Sequence, residues 1–153
     1  MSPTSVRIVY TLMVGARPAE LERRLVDRNL DRHLDDRETA ELGRRAQARI
    51  AAALVVTVDG KRVAPPLGTP EVGLLGAGVD ASPFSVDVEA IVPVAYGSHT
   101  ITVEDRAPAD PYAQSEQRAV DSPTVRIRHT QKRPTGLVIE TEPLGPAPSP
   151  RRR

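Results

Sequence analysis

The sequence predicts an α+β fold in which a helix–loop–helix unit, residues 16–53, stands between a first strand and an antiparallel β-sandwich. Three observations support this prediction. Val6–Val14 is a β-branched apolar run that ends at Gly15, as a buried strand does. Apolar residues then recur at helical spacing as far as Ala53, and from Leu54 onward short alternating segments are separated by turns. Residues 1–142 are therefore expected to form a single domain.

Composition limits the functions that the chain can have. Its 153 residues are 39% hydrophobic, which is enough for one domain with a core, but only 3% are aromatic. A core of Val, Leu, Ile and Ala offers no stacking platform for bases, and a net charge of +1 gives no overall attraction to nucleic acid. The absence of cysteine excludes disulfides, thiolate zinc sites and cysteine nucleophiles.

Two helices are predicted around a polar loop. Pro18 suits the first turn of a helix that runs over Ala19–Val26, with Leu21 and Leu25 four residues apart as on one helix face. After the loop, apolar residues recur at roughly helical spacing while arginines fill the other faces, which predicts an amphipathic helix of about four turns. The recurring residues are Leu42, Ala46, Ile50 and Ala53.

The second half of the chain predicts an immunoglobulin-like β-sandwich, residues 54–142, to which strand 6–14 is added. Asp59-Gly60 between two apolar runs, Leu54–Val58 and Lys61–Val63, is a strong hairpin signal. Alternating or apolar segments follow at intervals typical of sandwich strands, at 84–89, 99–104, 125–128 and 137–141. Residues 143–153, rich in proline and ending in three arginines, are expected to be a disordered tail.

The polar loop Asp27–Glu38 carries the clearest chemical signal. Its twelve residues place oxygen-bearing groups at positions 1, 3, 5, 7, 9 and 12 and an apolar residue, Leu34, at position 8. A hard divalent cation needs six to eight oxygens, and a loop wound around it can present alternate residues inward. The loop and its flanks, about Ala19–Ala53, resemble the EF-hand calcium-binding family. The resemblance implies Ca²⁺ held by the side chains of Asp27, Asn29, Asp31, Asp35 and Glu38 and by the backbone carbonyl of His33.

One loop position departs from the EF-hand pattern. Arg32 stands at position 6, where glycine normally takes a positive φ, at a cost on the order of 1 kcal/mol. Arg28, Arg32 and Arg37 also lie among five carboxylates, which leaves a local charge of −2. We therefore expect weak binding, roughly 10⁻⁴–10⁻³ M. The alternative is that the arginines neutralise the carboxylates and the loop keeps its shape without metal.

A second, looser resemblance concerns the order of elements. Asp27–Asp31, Glu38, Leu54–Gly60 and Gly97–Val103 are similar to pieces of the extracytoplasmic domains of bacterial nickel/cobalt-type membrane transporters. That resemblance implies a location outside the cytoplasm, near a membrane protein partner. The opening segment reads as a strand rather than a signal peptide, so a cytoplasmic location stays open. No apolar run approaches the ~20 residues of a membrane span, so no direct membrane insertion is expected.

The function expected from the sequence is therefore a non-enzymatic calcium-binding module whose ion stabilises a β-sandwich interaction domain. The alternative is a metal-independent structural or interaction domain, accessory to a membrane metal-ion transporter. No catalytic residues are predicted: Ser98-His99 lies in no nucleophile elbow, and His33, His99 and His129 share no metal-ligand spacing. The sequence does not indicate the partner or the oligomeric state.

Overall fold

The computed structural model describes residues 4–147 and 149, and within them the chain forms two helices and nine strands. The helices flank the polar loop, and eight of the strands follow them in the chain. The bounds are β1 Ser5–Val14, α1 Ala16–Val26, α2 Asp36–Ala53, β2 Leu54–Val58, β3 Lys61–Val63, β4 Glu71–Leu74, β5 Phe84–Pro93, β6 His99–Asp105, β7 Ala113–Val120, β8 Val125–Arg133 and β9 Gly136–Pro143.

The strands form two antiparallel sheets, so the fold is α+β and consistent with a β-sandwich. One sheet has the order β4-β5-β1-β7 and the other the order β3-β2-β6-β9-β8. β1 and β5 pair along their whole length, from Ser5 opposite Pro93 to Val14 opposite Phe84. These two long strands form the centre of the first sheet.

One face of β1 and β5 serves two hydrophobic cores. Near one end of the pair, Val6 and Ile8 pack with residues of the second sheet such as Ile101 and Ile139. Toward the other end, the same face packs against the helices: Leu12 and Val14 belong to a cluster with Ala19, Leu42 and Ile50. Because side chains of a strand point alternately to opposite faces, even-numbered β1 residues can serve both cores. The helical unit thus covers the part of the sheet that the second sheet leaves bare.

The Asp-Gly hairpin expected between residues 54 and 63 is confirmed. β2 pairs with β3 up to Val58 opposite Lys61. Asp59 has φ +50° and Gly60 has φ +81°, and a two-residue turn with positive φ at both positions matches the twist of the flanking strands.

Two strands, β4 and β7, lie where the sequence predicted loops or no element. β4 has the short sequence EVGL with a glycine in it, and β7 has the largely polar sequence AQSEQRAV. Both are edge strands of the first sheet. Their backbones are held by pairing with β5 and β1, while half of the β7 residues are exposed and only Gln117 is buried, so they lack the apolar alternation of a buried strand.

The expectation about α1 needs correction, because its leucines do not face the core. Leu21 and Leu25 are 59% and 56% exposed, and the buried residues are Ala19, Arg23 and Val26. α1 also begins earlier than expected, at Ala16. α2 spans 18 residues, about five turns rather than four, because it starts at Asp36, within the last three positions of the loop. Within the described residues, no helix is both long and apolar enough to cross a bilayer.

The expected tail keeps contact with the sandwich at its start. β9 ends at Pro143, the Leu144 N–H donates to the Thr124 carbonyl, and the Tyr96 hydroxyl donates to the Gly145 carbonyl. Contacts with the rest of the chain thus continue as far as Gly145. Of the remaining tail, Pro148 and residues 150–153 lie outside the described part.

Candidate functional site

The loop Asp27–Glu38 is fixed at both ends by helix caps. Asp27 is the C-cap of α1, and its N–H donates to the Arg23 carbonyl. Asp35 is the N-cap of α2: its side chain accepts from the Glu38 N–H at 2.8 Å, and the Glu38 side chain accepts from the Asp35 N–H at 3.0 Å. This reciprocal capping box satisfies two otherwise unpaired donors of the helix start. Two of the predicted ligands thus also define where α2 begins.

Hydrogen bonds within the loop orient the side chains at positions 3 and 5. The Asp31 N–H donates to Asn29 Oδ1 at 3.1 Å, and the His33 N–H donates to Asp31 Oδ1 at 2.8 Å. The Asn29 amide also donates to Asp31 Oδ2 at 3.1 Å. Side chains that bond to the backbone two residues onward are typical of tight polar turns. Although exposed, these groups belong to an ordered turn.

The first and last residues of the loop are buried. Asp27 is 6% exposed, and its Oδ2 accepts from the Arg32 N–H at 3.1 Å. Glu38 is 5% exposed, and its Oε1 accepts from the Arg28 N–H at 2.9 Å. Because Arg28 follows Asp27 directly, the carboxylate of position 12 reaches back to position 1. The structure therefore brings the two ends of the predicted ligand set together.

One oxygen of Asp27 is left without a partner. Asp27 Oδ1 is buried and accepts no hydrogen bond in the described part of the chain. A buried carboxylate oxygen without a partner is costly, and a donor or a cation removes that cost. The atom occupies loop position 1, where the EF-hand resemblance places a calcium ligand.

The loop backbone turns through two left-handed residues. Arg32 has φ +64° and Leu30 has φ +59°, and neither is a glycine. Position 6 therefore takes the positive φ expected there despite its arginine side chain, at a cost of roughly 1–2 kcal/mol. The second bend, at Leu30, was not predicted, because leucine rarely adopts a positive φ.

The middle of the loop pairs with a distant segment, Ala77–Val79. The Leu34 N–H donates to the Ala77 carbonyl at 2.7 Å, and the Val79 N–H donates to the Arg32 carbonyl at 3.0 Å. These bonds flank a bridge between His33 and Gly78, so the pairing does not use the His33 carbonyl. Leu34, at position 8, is buried in the core beside the helices, as expected.

Arg23, one helical turn before Asp27, holds that distant segment in place. Its side chain is 0% exposed and donates to the carbonyls of Gly76 and Gly78 at 2.8 Å each and of Ser82 at 3.2 Å. Its Nε has no hydrogen-bond partner in the described residues. A buried cation thus lies close in sequence to the buried anion of Asp27, but the two form no ion pair.

The loop's arginines do not clasp its carboxylates. Among the residues that the structure describes, the side chains of Arg28, Arg32 and Arg37 form no ion pair. Backbone N–H groups bind the carboxylates instead. Across residues 4–147 and 149, however, no three His, Asp or Glu side chains form a ready-made metal cluster. Binding an ion would therefore require the side chains to close on it, which lowers affinity.

A separate cavity of about 560 Å³ lies beside α2, β7 and β9. The hydroxyls of Tyr10 and Ser115 and the N–H of Ala107 all donate to the Asp105 carboxylate. Burial, with the hydrogen bond to Asp105, raises the pKa of Tyr10 to about 12. Burial opposes ionisation of Asp105, but the hydroxyl hydrogen bonds outweigh it and lower the pKa of Asp105. The Asp105 carboxylate thus links β1, β6 and β7 through the side chains of Tyr10 and Ser115.

Of the three histidines, two lie apart from the loop. His99 is in β6 and His129 in β8, while His33 is in the loop itself.

Comparisons of the chain with protein-family models, with curated proteins and with solved structures gave no match.

Proposed function

We propose that the chain is a non-enzymatic calcium-binding module, with Ca²⁺ held in the loop Asp27–Glu38. The observation that carries the proposal is the unpartnered, buried Oδ1 of Asp27, in a loop that the Glu38 carboxylate closes by accepting the N–H of the next residue, Arg28. Ligands would come from the side chains of positions 1, 3, 5, 9 and 12 and from the His33 carbonyl. An oxygen-only set of this size suits Ca²⁺ better than Mg²⁺, which demands a near-ideal octahedron and gives up its water reluctantly.

The ion's role would be structural. Asp27 ends α1 and Glu38 belongs to the first turn of α2, so an ion between them ties the two helices together. The same loop is bonded to Ala77–Val79, which precedes β5. Occupancy of the loop would therefore stabilise the junction between the helical unit and the first sheet. No reaction is required of the ion.

A thermal melt in calcium and in chelator tests the proposal. With a dissociation constant on the order of 10⁻⁴–10⁻³ M, calcium at ~10 mM stabilises the fold by ~1.4–2.7 kcal/mol and raises the midpoint by ~3–10 °C. Asp27→Asn keeps an oxygen that can accept the Arg32 N–H but removes the charge, so it should fold and lose most of this shift.

Asp36→Asn is the matched control, because Asp36 is an exposed carboxylate of the same segment outside the ligand set. It should retain the calcium shift of the wild type. Equal midpoints in calcium and chelator for the wild type would refute the proposal, as would a shift that Asp27→Asn leaves intact.

The second candidate function is a metal-independent interaction domain accessory to a membrane transporter. One observation favours it: both Glu38 oxygens already accept backbone N–H groups, so the loop is closed by protein donors. Under this alternative, Asp27→Ala combined with Glu38→Ala leaves partner binding intact and calcium leaves the melt unchanged. Loss of partner binding in the double variant together with a calcium shift in the wild type would favour the calcium module.

For the fold, we propose the finer description of an immunoglobulin-like sandwich. The pairing of β1 with β5 and of β2 with β6 corresponds to strands B–E and C–F of that fold. β4 and β9 then take the places of D and G. β7 departs from the pattern, because it lies beside β1 although it follows β6 in the chain.

A further inference from the structure

Three leucines beside the loop are exposed rather than buried. Leu21 and Leu25 on α1 and Leu30 in the loop are 59%, 56% and 79% exposed. Leu21 and Leu25 are four residues apart, so they share one face of the helix. We call these three residues the leucine ridge.

The ridge is exposed because the rest of the structure fixes it there. Ala19, Arg23 and Val26 face the interior, and the three hydrogen bonds of the Arg23 guanidinium fix the rotation of α1 about its axis. Leu30 is exposed on a backbone with φ +59°, a conformation that disfavours leucine. Strained backbone residues cluster at functional sites, so this conformation directs attention to Leu30.

The segment that carries the leucine ridge, residues 16–32, exposes more arginines than carboxylates. Exposed residues between 16 and 32 include four arginines, at 17, 24, 28 and 32, and one carboxylate, Asp31. Arg17, Leu21 and Arg24 follow the i, i+4, i+7 spacing of one helix stripe. Arg24 also pairs with the half-buried Glu20 at 2.5 Å, a pair with limited strength because it is exposed. The ridge is therefore apolar with a cationic border, although the whole chain has a net charge of only +1.

The shape and charge of the ridge select among partners. A second copy of the chain would bring the same arginines together, which is repulsive. The leucines do not line the cavities at the ends of the first sheet or beside α2, so those cavities do not continue into the ridge. Protruding leucines bordered by arginines suit a lipid interface, where leucines enter the acyl boundary and arginines reach the headgroups.

We propose that the leucine ridge docks the molecule on an anionic membrane surface. Attachment is peripheral: three leucines enter the interface while the domain remains outside it. Anionic lipid headgroups are the binding partner of the bordering arginines. The proposal does not rest on calcium binding, because none of the three leucines belongs to the proposed ligand set.

Vesicle co-sedimentation in the presence of chelator tests the proposal. The chain should bind vesicles of phosphatidylcholine mixed with phosphatidylserine and not vesicles of phosphatidylcholine alone, and added salt should weaken binding. Leu21→Ser, Leu25→Ser and Leu30→Ser combined should reduce partitioning at least ~10-fold. Arg24→Gln should reduce it by about 5-fold.

Leu75→Ser is the matched control, because Leu75 is 81% exposed but lies in the segment after β4. It should bind like the wild type. Because all three ridge leucines are exposed, the triple variant should keep the melting midpoint of the wild type. The proposal would be overturned if the triple variant bound vesicles as well as the wild type, or if the wild type also bound neutral vesicles. It would equally be overturned if the ridge mediated a dimer or a complex with an acidic protein and no binding to lipid was seen. Because every vesicle experiment is done in chelator, its result does not depend on whether the loop binds calcium.

Discussion

The guanidinium of Arg23 carries a full positive charge into the interior and binds backbone carbonyls there. Gly76, Gly78 and Ser82 supply the three acceptors, and all of them lie in the connection between β4 and β5 that also pairs with the polar loop. Arginine stays charged under these conditions and presents several donors in a fixed plane, so it can satisfy carbonyls from different residues. One side chain thus connects α1 to the segment that pairs with the loop and to the residues just before β5.

Arg23→Met should destabilise the fold by about 2–4 kcal/mol, because it leaves three buried carbonyls without their donor. Urea unfolding followed by circular dichroism measures the difference. Arg24→Met, on the exposed side of the same helix, should change stability by less than about 0.5 kcal/mol. Similar losses in the two variants would show that the carbonyl contacts of Arg23 are not important.

For single residues, the sequence pattern identified the polar loop between the helices but not which face of α1 is buried. Two apolar stripes compete in that helix: Leu21 with Leu25, and Ala19 with Val26. The leucines are larger and read as the buried face, whereas Ala19, Arg23 and Val26 follow i, i+4, i+7 with an arginine in the middle. Only the carbonyls of Gly76, Gly78 and Ser82 make that arginine acceptable, and a pattern within one helix cannot reveal acceptors more than fifty residues away.

Among the elements, the β2–β3 hairpin is tied to β6 through its turn. Asp59 Oδ1 accepts the Thr100 N–H at 2.9 Å, and Asp59 Oδ2 lies 2.7 Å from His99 Nδ1. The other ring nitrogen of His99 lies 2.9 Å from the Ala95 carbonyl. Because both partners are acceptors, both contacts can be hydrogen bonds only when the ring is protonated. The hydrogen bond to Asp59 accordingly raises the pKa of His99, and the bonds from His99 and Thr100 lower the pKa of Asp59.

This contact should make stability depend on pH. Since the pKa of His99 is raised above its unfolded value of about 6.5, the contribution is complete below that pH and is lost as pH rises through the folded value. The urea concentration at the unfolding midpoint of the wild type should therefore decrease as the pH is raised from about 6 to about 8.5. His99→Gln should flatten the profile over this range.

His129→Gln, in β8, is the control and should keep the slope of the wild type. A wild-type midpoint that does not change over the range would contradict the assignment. At the acid end the sign is opposite: the pKa of Asp59 is lowered, so its contribution is lost as pH falls through the folded value.

Strands with a strong local signal were predictable, and strands held by their neighbours were not. The Asp59-Gly60 turn and the alternation from Phe84 to Val88 mark their elements without help from the rest of the chain. β7 has only one buried residue, Gln117, and its identity as a strand comes from eight backbone pairings with β1. Pairing of this kind is a tertiary property, so single-sequence patterns miss it.

For the whole molecule, the shared face of β1 and β5 links the two cores into one cooperative unit. Removing side chains from either core should therefore lower the same transition. Ile8→Ala in the inter-sheet core and Leu42→Ala in the helix core should each cost about 2–5 kcal/mol. Hydrogen exchange read by mass spectrometry should show amides of α2 and of β9 losing protection together in both variants.

Independent behaviour of the two cores would appear as a split result. If Leu42→Ala releases the amides of α2 while those of β9 stay protected, the helical unit unfolds by itself and β1 does not couple the cores. Met13→Ala, at an exposed β1 position, is the control and should leave protection nearly unchanged.

The backbone bridge between His33 and Gly78 makes the loop complete within one molecule. Strand-like pairing at the loop's centre comes from Ala77–Val79 of the same chain, so no second copy is needed to supply it. An ion bound there would occupy one independent site, and its saturation would follow a hyperbola with a Hill slope of one. Such a molecule responds to its ion in a graded way, over roughly two decades of concentration, and lacks the threshold of a paired sensor.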